Sequence, residues 1–127
     1  MPTRLQILRA LLSFGAAEAS EKSRVLDEYQ AHSDAVKAGP HVWSPTFEVI
    51  EALQSYVKFC ADEPSFGDKG RRLLEDISAT TDRMAGAPET EFADRSVFRS
   101  ALGEQLCSLC RLAMTELRLP EDEVLPF

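Results

Sequence analysis

The chain has 127 residues, 44 % apolar and 28 % charged, with 21 acidic against 14 basic side chains and a net charge of −7. That length suits one domain with its own core, without disulfide or metal support. The acidic balance argues against a nucleic-acid binder, which needs basic surface to displace counterions, and fits either a basic partner or plain solubility.

The first predicted helix starts near Thr3. Thr3 caps it, and Gln6 three residues on completes a capping-box pattern. Leu5, Ile7, Leu8, Leu11 and Leu12 then line one side. Arg4 followed by an apolar run invites a comparison with a signal peptide. Gln6, Arg9 and Ser13 interrupt that run at helical spacing, so an amphipathic helix is the better reading. No stretch approaches ~18 continuous apolar residues, so no membrane span is expected. Around Ser20 the pattern restarts, with Val25, Tyr29, His32 and Val36 in step. Residues 3–38 form either two helices or one near-continuous run. The absence of Pro or a turn dipeptide favours the run. Gly39 and Pro40 then stop the helix at Ala38.

A short loop, "GPHVWSP", follows. Ser44 caps the next helix, Pro45 takes its first position, and the helix runs to about Ala61, where Asp62, Glu63 and Pro64 end it. The next segment covers about Gly67 to Met84, with Leu73, Leu74, Ile77, Thr81 and Met84 inward. Ala85 to Glu89 reads as a loop. A long last helix is expected from Glu91 or Asp94 to Leu119, with Phe98, Leu102, Leu106, Leu109, Ala113 and Leu117 on its core face. Pro120 stops it, and residues 120–127 read as an acidic tail. The fold class that follows is all-α: residues 1–119 as one compact antiparallel bundle of four to five helices. The breadth of its apolar arc makes the last helix the central one.

No motif for catalysis stands out. Cys107 and Cys110 form Cys-x-x-Cys, but deep inside a predicted helix rather than at a helix start after a strand, where the dipole would activate a thiol. With Cys60 they make an odd number without framework spacing, so packing and reduced, cytoplasmic thiols are the expectation. A zinc site would need ligands that sequence proximity does not provide, and no metal or other cofactor is expected. His32 reads as a partly buried structural histidine and His41 as a loop residue. Gly67 and Gly70 follow a helix rather than a strand, which discounts a phosphate loop. Glu48 with Glu51 reads as a solvated pair, and Gln105 as a buried hydrogen-bonding residue within the apolar arc of the last helix.

The segment Ser44–Cys60 raises the functional question. On a wheel at ~100° per residue, Val49, Ile50, Leu53, Tyr56, Val57 and Cys60 make one core stripe. Phe47 falls among Glu51, Gln54 and Lys58, and Phe59 falls beside Glu48 and Ala52. Two readings stand: both rings meet neighbouring elements of the same fold, or they anchor a partner within a rim of carboxylates. On the second reading the candidate interface is Trp43, Phe47, Glu48, Glu51, Phe59 and Asp62.

"SPTFEVIEALQSYVKF" resembles the Pro-x-aromatic-Glu-Val helix start of a family of small helical immunity proteins, which neutralise NAD-consuming, ADP-ribosyltransferase-like toxins of bacterial type VI secretion. "RRLLEDISAT" followed by "RSALGEQLCSL" is similar to that family in order and spacing, so the likeness spans about Ser44 to Leu109. The resemblance implies a cytoplasmic inhibitor that covers a protein toxin's active site and catalyses nothing, with no nucleic acid and no membrane among its partners. Two rivals remain at this point. One is an acidic helical adaptor, secretion chaperone or phage-encoded inhibitor. The other is an enzyme or small-ligand bundle with a pocket lined by Gln105, His32 and the cysteines.

Overall fold

A computed structural model describes residues 3–36, 45–117 and 119, with backbone alone for 30–36 and 45. The described residues contain six α-helices and no strand: α1 (Arg4–Ala16), α2 (Ala19–Val36), α3 (Pro45–Phe59), α4 (Gly67–Ala85), α5 (Glu89–Ala93) and α6 (Ala101–Glu116). Short 3-10 turns, Pro64–Phe66 and Ser96–Arg99, precede α4 and α6. The all-α bundle is as expected. None of these helices is long and apolar enough to cross a membrane.

Four helices close a ring. Helix α1 packs on α6, α6 on α4, α4 on α3, and α3 back on α1, leaving α2 on the outside against α3. Neighbours in the ring run antiparallel. Arg4 at the start of α1 reaches Glu63 just past the end of α3, and Lys69 at the start of α4 meets Glu116 at the end of α6. Leu8, Leu12, Val57, Leu74, Ile77, Leu106 and Ala113 fill the middle, each 2 % exposed or less. Burying one such leucine contributes roughly 1.5–3 kcal/mol. The last helix touches two of the other three ring members, as every member of the ring does, so it is not the central helix its apolar breadth suggested; α3 meets α2 and α5 as well as its two ring neighbours.

The start of α1 follows its capping box. Thr3 Oγ1 accepts from Gln6 N at 3.2 Å, and Gln6 Oε1 accepts from Thr3 N at 2.7 Å. Residues 3–36 do not form one run. Ala17 takes an extended conformation and ends α1. The reason is a tertiary cap. Lys22, 2 % exposed, returns its ammonium to the end of α1 and donates to Gly15 O at 2.9 Å and Ala17 O at 2.6 Å. Arg111 Nε donates to Ala16 O at 2.9 Å, and Cys107 Sγ lies 3.3 Å from the same oxygen. Helix α1 has no basic residue in its own last turn. The cations that favour a helix C-terminus come instead from α2 and α6. Among the described side chains of α2 only Lys22 and Leu26 are buried, with Val25 and Tyr29 half-buried.

The expected long last helix is broken into three pieces. Asp94 Oδ1 accepts from Ser96 N at 2.9 Å, and Arg95 adopts the left-handed region at φ 62°. That conformation costs energy for a side chain with a Cβ. The Arg95 side chain is held in place by Ser23 O at 2.9 Å and Asp27 Oδ1 at 2.7 Å, both on α2. Ser100 then caps α6 by accepting from Gly103 N at 3.1 Å. Phe98 still reaches the core, edge-on to Phe14 at 5.9 Å, although it lies outside α6. Gln105 is exposed rather than buried. Its neighbours three and four residues away, Ala101, Leu102, Ser108 and Leu109, are all uncharged, so local polarity does not mark its side of α6 as outward. The Ser44 cap, the stop at Gly39–Pro40 and the tail 120–127 lie outside the described residues.

Candidate protein-docking face

Helix α3 turns its stripe of Val49, Ile50, Leu53 and Val57 into the ring, all four buried. The opposite side carries Glu48, Glu51, Ser55, Phe59 and, one turn past the helix, Asp62. At ~100° per residue the four helical ones share an arc of roughly 80°, and Arg4 ties Asp62 to Phe59. Glu48 is half-buried, and the other four are exposed. Phe59 is one of two large apolar side chains left exposed among the described residues, at 59 %.

Phe59 does not hang free. The Arg4 guanidinium lies over its ring at 5.1 Å from the centroid, and Tyr56 meets it at 6.0 Å in an edge arrangement. Arg4 Nη1 also donates to Phe59 O at 2.7 Å and to Asp62 Oδ1 at 3.1 Å. Its Nη2 lies 3.4 Å from Glu63 Oε2. The planar fork thus ties ring, backbone and two carboxylates together. A ring fixed in this way loses less side-chain entropy when a partner covers it. Arg4 is 55 residues away from Phe59 in sequence, which is why reading α3 by itself did not include it.

The other candidate residues are distributed differently. Phe47 is half-buried and packs edge-on against Phe92 of α5, with centroids 5.3 Å apart and planes at 87°. It serves contacts within the fold. Glu48 and Glu51 lie on the face about three and two turns before Phe59. Trp43 and His41 lie outside the described residues, as does the His32 side chain.

Chemistry elsewhere is sparse. All three cysteines are free; Cys60 and Cys110 are buried and Cys107 is half-buried. Among the described residues no cluster of three or more His, Cys, Asp or Glu side chains could hold a metal ion. Burial pushes the Cys110 thiol from 9.0 up to about 12. The folded state therefore keeps this proton while the unfolded chain gives it up. Cys110 adds no pH dependence below pH 9, and its contribution is lost as pH rises from about 9 to about 12, by roughly 1.4 kcal/mol per unit. Burial lowers the Lys22 pKa, so that side chain acts in the opposite sense as pH approaches 10.5. The comparison that isolates the thiol is wild type against Cys110→Ala. The urea midpoint of the wild type is expected to fall more steeply above pH 9 than that of the variant, and parallel curves would refute the assignment.

Comparison with protein-family models, with characterised proteins and with solved structures found no match to this chain.

Proposed function

We propose that this protein is an immunity protein: a helical inhibitor that binds a secreted bacterial toxin through the outward face of α3 and blocks its active site without catalysing a reaction. One observation supports this reading above the others. Phe59 stands exposed on a helix whose same face presents Glu51, Asp62 and, half-buried, Glu48. An exposed aromatic on a rigid helix is the kind of group that dominates an interface, and a rim of carboxylates steers a basic partner towards it. The family resemblance of the segment around α3 points to the same class. Arg4 neutralises part of the Asp62 charge, so the steering falls mainly to Glu48 and Glu51, and Phe59 supplies the anchor.

The test is co-expression with the toxin encoded by the neighbouring gene. Growth should be restored, and the two proteins should co-purify in a fixed ratio. Phe59→Ala should weaken the complex by about 30-fold or more, as expected for an anchor worth ~2 kcal/mol. Glu51→Lys should slow association and flatten its salt dependence. Both positions are exposed, so thermal stability should barely change. If the toxin still kills and no complex forms, the proposal fails. If Phe59→Ala protects as well as wild type, the face is wrong even if the class is right.

A further inference from the structure

The surfaces of α4 and α6 differ in kind. The exposed positions of α4 are almost all Asp, Glu, Lys or Arg. Helix α6 instead carries an exposed uncharged line: Ala101, Gln105, Ser108, Leu112 and Thr115. Their spacing of four, three, four and three residues keeps them within an arc of roughly 80°. Leu112, at 53 % exposure, is the second of the two large apolar side chains left open among the described residues. A solvated helix in a chain with 28 % charged residues does not need such a line, whereas a helix that meets another helix does.

The borders of this line say which helix fits. Glu104 and Arg111, both exposed, lie seven residues apart on one border. Arg111 is steadied there by its bond to Ala16 O. Leu102 and Leu109, both half-buried, form the other border, which ends at exposed Glu116, paired with Lys69 of α4. When two copies of α6 cross antiparallel about a two-fold axis between Leu106 and Cys107, Ala101 faces Leu112 of the second copy and Gln105 faces its Ser108. Glu104 then meets Arg111 of the second copy, twice by symmetry, and the leucine borders meet each other. A parallel pair would set Glu104 against Leu109 of the second copy and bring Arg111 only to Glu116, whose carboxylate Lys69 already holds at 2.7 Å. We propose that the outward face of α6 is a self-association surface, and that this chain forms an antiparallel, two-fold symmetric dimer through it. The line covers ~21 Å of helix. Its area falls short of the ~800 Å² per partner of a standard interface, so the dimer is a weak one, in reversible exchange with monomer. Helix α6 sits diagonally across the ring from α3. The inference is therefore independent of the proposed function and leaves the Phe59 face open on both copies.

The experiment uses the full chain over a wide concentration range, with mass read by light scattering or sedimentation. Wild type should rise from 14.1 kDa towards twice that mass at high concentration. Leu112→Glu should weaken association at least ~10-fold, and Glu104→Lys, which sets like charges opposite each other, should weaken it too. Phe59→Ala should associate as wild type does. Under mild oxidation the double variant Ala101→Cys/Leu112→Cys should form covalent dimers above the wild-type background. Ala101→Cys alone should not, because in this geometry it lies ~16 Å along the axis from its own copy. A chain that stays monomeric at millimolar concentration overturns the inference. So does association that Leu112→Glu leaves untouched, or cross-linking by Ala101→Cys alone as efficient as that of the double variant.

Discussion

Gly103→Ala is expected to destabilise the domain by ~3 kcal/mol or more, enough to remove much of the margin of a protein of this size. Gly103 stands in the first turn of α6, where Ser100 caps the helix. A Cβ added there would come within 2.4 Å of Val97 O and 2.5 Å of Phe98 O. Both obstacles are backbone atoms of the preceding 3-10 turn. No rotamer change relieves them, so either the turn or the start of α6 must move. Moving the turn drags Val97 and Phe98, both buried, out of the core. Gly86→Ala is the matching control. Its nearest obstacle is Arg83 O at 3.4 Å, and its backbone is right-handed, so the change should be neutral or slightly stabilising. Thermal unfolding should separate the two by roughly 10 °C or more. If Gly103→Ala melts with Gly86→Ala, the joint between the 3-10 turn and α6 is not built as described.

The second large effect is expected at Lys22. Its stem lies in the core, and its ammonium ends among Gly15 O, Ala17 O and the rings of Phe98 and Phe14, with ring centroids 5.6 and 6.0 Å away. Lys22→Glu would set a carboxylate against the negative end of α1, and should prevent stable folding. Lys22→Met keeps most of the packing and loses the donors. Its cost is the desolvation of Gly15 O, left unmet, and of Ala17 O, left with only the weak Cys107 thiol at 3.6 Å, less the relief of no longer burying a charge, for a net of ~1–2 kcal/mol. Lys22→Ala adds a cavity and should cost ~3 kcal/mol or more. The order Met, Ala, Glu, from mildest to most severe, is what denaturant titration should return. A milder effect for Glu than for Met would mean that the buried amine is not capping α1.

These two positions also show where the sequence was legible and where it was not. Local signals worked where the cause was local. The Thr3–Gln6 box starts α1, the apolar stripe of α3 faces inward, and Leu74, Ile77, Thr81 and Met84 are buried on α4. They failed where the cause was tertiary. Nothing near Ala17 marks a break, because the groups that satisfy the end of α1 come from Lys22, Cys107 and Arg111. The break before α6 was half visible. Asp94 and Ser100 are good turn and capping residues, but neither Gly nor Pro accompanies them. The left-handed residue is Arg95, whose side chain is anchored on α2. For the candidate face, α3 alone marked Phe59 and Glu51 as outward. Phe47 was placed outward by the same wheel, yet it meets Phe92 from an element that the sequence pattern had merged into a longer helix. Arg4 was not found because its partners are more than fifty residues away.

The seclusion of the Lys22 amine makes the molecule a reporter of its own breathing. Acylating reagents need an unprotonated, accessible amine. They can reach Lys58 and Lys69 on the surface of the native protein, but they reach Lys22 only when the corner between α1 and α2 parts. The rate at which that one nitrogen is acylated therefore measures how often it becomes exposed, and comparing that rate with the rate of global unfolding tells whether the corner opens by itself.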